Sequence, residues 1–197
     1  MHIDFYFDFS SAYSYIGQHR IRALARQHDV ELNWKPMVLG AIFKALGHHP
    51  TVTGESPKKN YIWRDVARSA EEWGLPYRWP DPFPFNAIQP ARAYYWLEEQ
   101  STALAEQWAV GVFDCAYGQG LDCTQATVLG ALAESMGLDP QALAAGCSED
   151  AVKLRLREAT DEALQRGVFG APTFLVDNEI YWGADRVDQI ERRLSRA

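Results

Sequence analysis

Strand-like patterns lie near the two ends of this 197-residue chain, and that distribution limits the folds open to it. Apolar and polar residues alternate over residues 3–9 and again over 30–35, which is the period of a half-buried strand. Two short apolar runs, 173–176 and 180–182, predict a hairpin that turns at Asn178-Glu179. We therefore expect one small sheet built from both ends of the chain.

The rest of the chain predicts mainly helices. The first, at 12–27, joins the first two strands, which makes a right-handed βαβ unit with parallel strands. Further helices are expected at about 41–46, 58–73, 90–99, 124–136, 140–145 and 149–166. Ser101 would cap another helix, and Asp185 would cap a last one that reaches about 196. A proline-rich extended loop is expected at 75–86. The order predicts an α/β domain formed by 1–38 and 157–197 and interrupted by a helical insertion at 39–156.

Composition limits the partners. The net charge is −7 and no run of 18 apolar residues occurs, which argues against nucleic-acid and membrane partners. The first residues show no basic region followed by an apolar stretch, so we expect no signal peptide. The three cysteines form no C-x-x-C pair and no Cys/His cluster, so we expect a cytoplasmic protein without a metal site.

The segment Ser10-Ser11-Ala12-Tyr13-Ser14-Tyr15 directly follows the first strand and places a serine at the start of a helix. A free thiol is only about 3% thiolate at pH 7, and lowering its pKa by about two units requires about 2.7 kcal/mol. A helix N-terminus supplies about 0.3–1 kcal/mol, and a hydroxyl hydrogen bond to a charged sulfur about 1.5–3 kcal/mol. Ser11 could supply both terms to a thiol that comes from a ligand.

Three segments together resemble the 2-hydroxychromene-2-carboxylate isomerase family and the related kappa-class glutathione transferases. They are FYFDFSSAYSY at 5–15, VFGAPT at 168–173 and WGADR at 182–186. The resemblance implies a DsbA-like thioredoxin fold with a helical insertion. It also implies a glutathione-dependent homodimer that interconverts 2-hydroxychromene-2-carboxylate and trans-o-hydroxybenzylidenepyruvate by reversible addition of a thiolate.

The same resemblance implies a set of site residues. Ser11 matches the serine that activates glutathione. The remaining glutathione contacts would come from His48, Lys58, Ala171 before a cis Pro172, Asp185 and Arg186. The family often has proline where this chain has Ala12, and His48 stands where relatives place asparagine. Trp34, Lys35 and Phe85 are candidates for holding a flat aryl substrate and its carboxylate.

Simpler interpretations stay open for several of these residues. Ser11 and Asp185 also suit ordinary N-caps, and Lys58 suits a solvated first-turn lysine. Tyr61 and Asp65 stand at helical spacing and fit either a site wall or a surface salt bridge. Two other functions also fit the segments: a kappa-class-like transferase or peroxidase that consumes glutathione, and a non-catalytic protein that binds it.

Overall fold

The computed structural model describes residues 2–48 and 57–196. Within these ranges, four strands form one sheet in the order β2-β1-β3-β4: β1 (His2–Phe7), β2 (Glu31–Pro36), β3 (Thr173–Val176) and β4 (Glu179–Trp182). The α-helices are α1 (Ala12–Gln27), α2 (Leu39–Ala45), α3 (Pro57–Glu72), α4 (Ile88–Glu98), α5 (Thr102–Phe113), α6 (Ala126–Ser135), α7 (Pro140–Gly146), α8 (Asp150–Gln165) and α9 (Val187–Leu194). A π-helical turn (Asp114–Gly118) follows α5, and a 3₁₀ turn (Ala184–Arg186) precedes α9.

The sheet joins both ends of the chain. β1 pairs in parallel with β2 and antiparallel with β3, so the predicted βαβ unit is confirmed. The β3–β4 hairpin turns at Asp177 and Asn178, whose φ angles of 49° and 66° are those of a two-residue hairpin turn. The predicted turn at Asn178-Glu179 is wrong by one residue, because Glu179 already pairs with Val176 in β4.

Helices cover both faces of the sheet. Ile3, Phe5 and Phe7 point to one face and belong to the main core, which includes residues of α1 and α9. The intervening Tyr6 belongs to a second cluster with Ile42 of α2 and residues of α8. Because successive side chains of a strand alternate between faces, this two-sided cover explains why β1 is buried from its second residue to its end.

The helical segment shares the core of the sheet. The Phe7 ring lies 5.5 Å from that of Phe113 in α5, centroid to centroid, and both belong to one continuous cluster. The α/β architecture with a helical insertion is confirmed. The proposed division at 38/39 and 156/157 stays a prediction; α8 crosses the second boundary and contacts β2. Within 2–48 and 57–196, no helix is long and apolar enough to cross a membrane.

Candidate functional site

Ser11 begins α1 directly after the turn that follows β1. Its backbone is extended, and its hydroxyl oxygen accepts a 3.2 Å hydrogen bond from the backbone N–H of Ser14. The N–H of Ser11 donates to the carbonyl of Asp8 at 2.9 Å, which closes the turn. Ser11 is therefore the N-cap of α1. The other N–H groups of the first turn have no intrahelical partner and give this end of the helix a positive potential.

The Ser11 hydroxyl also contacts a residue 160 positions away in the sequence. It donates a 3.1 Å hydrogen bond to the backbone carbonyl of Ala171. The strands explain the contact: Tyr6 of β1 faces Thr173 of β3, so the turn after β1 lies beside the residues that precede β3. The Ala171–Pro172 peptide bond is cis, as the resemblance implied. Because a hydroxyl has one proton, a sulfur bound to Ser11 would compete with the Ala171 carbonyl for it.

Asp8 is a buried carboxylate that the sequence analysis did not single out. It is only 4% exposed. One oxygen accepts 2.7 Å hydrogen bonds from the backbone N–H and the hydroxyl of Ser10, and the other accepts one from the backbone N–H of Leu39. Burial raises the pKa of Asp8 and the hydrogen bonds oppose that shift, with burial the stronger effect. An acidic residue at the end of a strand, just before a helix, was the available signal.

Ser11 and Asp8 line a cavity of about 1000 Å³. Its walls are mostly apolar and come from the start of α2, from α3 and from the proline-rich loop; they include Met37, Val38, Phe43, Ile62, Phe83 and Phe85. Lys58 in the first turn of α3 and His48 also line it. The cavity thus combines a large apolar wall with a few polar groups, which is typical of a site for a small organic ligand.

A second cavity of about 700 Å³ adjoins the first. Its lining is more polar and includes Asp65, Asp185, Arg186 and Arg20. Four residues line both cavities: Tyr13, Tyr61, Ala171 and Trp182. The residue that accepts the Ser11 hydroxyl bond therefore stands where the two cavities meet.

The structure brings most of the predicted site residues to these two cavities. The first is lined by Ser11, His48, Lys58, Phe85 and Ala171. The second is lined by Ala171, Pro172, Asp185 and Arg186. The residues that follow His48, from His49 to Ser56, lie outside the described residues.

Trp34 and Lys35, the candidates for substrate contacts in β2, line neither of these two cavities. Trp34 is 3% exposed and packs edge-on against the rings of Phe5 and Phe7. It faces the core because it pairs in register with Phe5. Lys35, the next residue of β2, instead acts electrostatically on Glu98 of α4.

Asp185 lies in the 3₁₀ turn before α9 rather than at its cap. The cap position is Arg186, without a side-chain capping bond, so the predicted N-cap role of Asp185 is wrong. The Asp185 carboxylate forms an ion pair with Arg186 and its side chain is 68% exposed. It is thus an accessible anion in the second cavity.

Tyr13 and Asp65 link α1 to α3. The Tyr13 hydroxyl donates a 2.8 Å hydrogen bond to Oδ2 of Asp65, and the Tyr61 hydroxyl donates a 3.0 Å bond to Oδ1. Asp65 also forms a 3.0 Å ion pair with Arg68. The two interpretations of Asp65 from sequence, a site wall and a surface salt bridge, therefore both hold. The Tyr13 contact had no sequence signal, since it joins residues 52 positions apart.

Comparison with known proteins agrees with this geometry. Residues 2–195 match the family described as the DSBA-like thioredoxin domain. A curated protein of Sphingobium xenophagum named 2-hydroxychromene-2-carboxylate isomerase is 33% identical over 193 residues, covering 98% of this chain and 97% of that protein. A Caenorhabditis elegans protein named glutathione S-transferase kappa 2 is 27% identical, covering 95% of this chain and 89% of that protein.

A solved structure of a 2-hydroxychromene-2-carboxylate isomerase superimposes with a TM-score of 0.86. It is 28% identical to this chain, with 100% of this chain and 95% of that one covered. The DsbA-like thioredoxin fold expected from the sequence is thereby confirmed.

Proposed function

Because the chain belongs to the 2-hydroxychromene-2-carboxylate isomerase family of DSBA-like thioredoxin domains, we propose that it interconverts 2-hydroxychromene-2-carboxylate and trans-o-hydroxybenzylidenepyruvate with glutathione as its cofactor. One observation carries the proposal. The Ser11 hydroxyl lies at the N-terminus of α1 and contacts Ala171, where an apolar cavity and a polar cavity meet.

The donor set of the two cavities fits glutathione. Lys58 in the first cavity would bind a carboxylate, and Asp185 in the second would bind the γ-glutamyl ammonium. Ala171, between them, offers backbone groups to an extended peptide. When bound, glutathione would supply the thiolate that adds reversibly to the unsaturated carbon of the substrate.

Ser11 and the first turn of α1 would stabilise that thiolate. The Ser11 hydroxyl can rotate from the Ala171 carbonyl to donate to sulfur, and the helix N-terminus favours the negative charge. Together these effects are large enough for a shift of two pKa units, which requires about 2.7 kcal/mol. The helix start holds no cysteine, so the sulfur would come from a ligand.

The apolar wall of the first cavity would hold the aryl substrate. Phe83 and Phe85 both line it; the Phe83 ring lies 4.4 Å from that of Trp79 and the Phe85 ring 6.3 Å from that of Tyr117, centroid to centroid. Such a wall excludes water and favours flat rings. Among the described residues that line this cavity, Lys58 is the one lysine. If it binds a carboxylate of glutathione, it is not free to bind an anionic substrate as well.

A second candidate function is a glutathione transferase, favoured by the match to the kappa 2 protein. The two functions differ in the fate of the thiol, because a transferase consumes it and an isomerase returns it.

We further propose that the protein acts in the cytoplasm as a homodimer. Light scattering of the purified protein tests the dimer, and fluorescence imaging of the tagged protein tests the location.

The function is tested by mixing the protein, glutathione and 2-hydroxychromene-2-carboxylate and following the absorbance of the ring-opened product. We expect rapid equilibration that requires glutathione, with free thiol constant throughout. Falling thiol would indicate the transferase instead. Equal rates without glutathione would contradict a role for the cofactor.

A further inference from the structure

The N-terminal half of α3 has little apolar support. The fully buried residues of α3 are Val66 and Ala70, and both lie in the second half of the helix. Ile62, one turn before Val66, is only partly buried. Lys58 is exposed in the first turn, two helical turns before Asp65. The position of Lys58 therefore depends on contacts that α3 makes beyond its buried stripe.

The hydrogen bond from Tyr13 to Asp65 is such a contact. Each carboxylate oxygen of Asp65 has a different role: Oδ1 accepts from Tyr61 and Arg68 within α3, whereas Oδ2 accepts from Tyr13 in α1 at 2.8 Å. Partial burial alone would raise the pKa of Asp65, but the hydrogen bonds from Tyr13, Arg68 and Tyr61 outweigh it and lower the pKa. The carboxylate therefore stays ionised, which strengthens the bond between the two helices.

The bond joins the segments that carry the two ends of the site. Tyr13 lies two residues after Ser11, and Asp65 lies on the helix that carries Lys58. If the γ-glutamyl ammonium lies near Asp185 in the second cavity, the carboxylate near Lys58 in the first cavity is the glycyl one. Ser11 and Lys58 would then hold the thiol and the glycyl end of the same ligand.

We propose that Tyr13 and Asp65 are positioning residues that fix the separation between the Ser11 hydroxyl and the Lys58 ammonium, and so set the affinity for the glycyl carboxylate of glutathione. This inference rests on the proposed function. The bond ties the helix that carries Lys58 to the helix that begins after Ser11, and it involves neither of those two side chains.

The test measures the dissociation constants of glutathione and of its glycyl monoethyl ester by calorimetry. For Tyr13→Phe we expect the constant for glutathione to rise about tenfold, the effect of losing one charge-assisted hydrogen bond. The constant for the ester, which lacks the carboxylate that Lys58 would bind, should change less than about twofold. In the isomerase assay, KM for glutathione should rise while kcat stays within about twofold.

Arg68→Met is the matched control. It removes a hydrogen-bond donor from the same carboxylate, but its bond lies within α3, its side chain is 59% exposed and it lines neither cavity. We expect both constants to stay within about twofold of the unmodified protein. Asp65→Ala, which removes the acceptor of the Tyr13 bond, should reproduce the Tyr13→Phe pattern even if either variant is less stable.

Equal weakening of glutathione and ester by Tyr13→Phe would overturn the positioning role, because it indicates a general loss of structure. An unchanged constant for glutathione would overturn it as well. Failure of the unmodified protein to bind glutathione would overturn the proposed function together with this inference, so the two failures are distinguishable.

Discussion

The carboxylate of Asp8, at the end of the first strand, accepts a 2.7 Å hydrogen bond from the backbone N–H of Leu39, the first residue of α2. Val38, the N-cap residue of α2, forms no side-chain capping bond. The Asp8 carboxylate, which lies outside the helix, caps it instead. Its other oxygen holds Ser10, next to the catalytic candidate Ser11. One buried group thus connects the start of α1, where the thiol would bind, to the α2 wall of the first cavity.

This arrangement predicts a pH dependence of stability. Burial raises the folded-state pKa of Asp8, so between its unfolded and folded pKa values the folded protein binds more protons than the unfolded chain. The contribution of Asp8 is then most favourable at acid pH and decreases as pH rises from about 4 through the folded pKa. We expect the free energy of unfolding of the unmodified protein, minus that of Asp8→Asn, to decrease across this window in denaturant titrations. A difference that grows with pH would contradict the assignment.

Ser11→Ala tests the proposed thiol activation. Loss of the hydroxyl should lower kcat/KM by about 10- to 1000-fold, or about 1.4–4 kcal/mol, and raise the apparent pKa of the bound thiol in the pH–rate profile. Ser14→Ala is the control: the Ser14 hydroxyl is buried, lacks a hydrogen-bond partner among the described residues and should be replaceable with less than about a twofold effect. If Ser11→Ala lowers kcat/KM by less than threefold, this residue has no part in the mechanism.

Gly17→Ala tests the close approach of α1 to the segment after Ala171. A Cβ atom at Gly17 would lie 3.0 Å from Cγ of Pro172 and 3.3 Å from Cζ of Phe174, both in buried side chains. Overpacking of this kind costs about 1–3 kcal/mol, which exceeds the gain of about 1 kcal/mol in helix propensity. We expect thermal unfolding to show a net loss of stability.

Gly130→Ala is the matched control for that substitution. Its Cβ would meet only an ordinary contact, 3.6 Å from Pro140. The gain in helix propensity should therefore appear alone, as a stabilisation of about 0.5–1 kcal/mol. If both variants were stabilised, the space beside Pro172 would be larger than the structure indicates.

Cys123 and Cys147 should react slowly with thiol reagents in the folded protein. Burial raises the pKa of Cys123 to about 12 and that of Cys147 to about 11, and it also raises the pKa of Cys115. A thiol with a pKa of 11 is only about 0.1% thiolate at pH 8. Titration with Ellman's reagent should show slow reaction of Cys123 and Cys147 before denaturation and all three thiols after it. Rapid native reaction of either residue would contradict their burial.

Local patterns predicted much of this fold. The apolar stripe and the serine cap give α1 its ends at residues 12 and 27, as the structure has them. The predicted Ser101 cap is also confirmed, with a 3.4 Å bond from the N–H of Leu104. These features succeed because periodicity and capping act between residues that are close in sequence.

The features that the sequence did not predict depend on contacts between residues far apart in sequence. Alternation showed that Trp34 faces one side of its strand, but only its register with Phe5 shows that this side is the core. The bonds from Tyr13 to Asp65 and from Ser11 to Ala171 join residues far apart in sequence. Their partners depend on how α3 and β3 are placed against α1, which tertiary packing decides.

The pairing of Ser11 with Ala171 has a consequence for biosynthesis. Ser11 is synthesised 160 residues before Ala171, its hydrogen-bond partner. A nascent chain cannot assemble the site until β3 has inserted beside β1. A polypeptide that stops before residue 171 would therefore lack the Ser11–Ala171 hydrogen bond and, with it, the proposed thiol site.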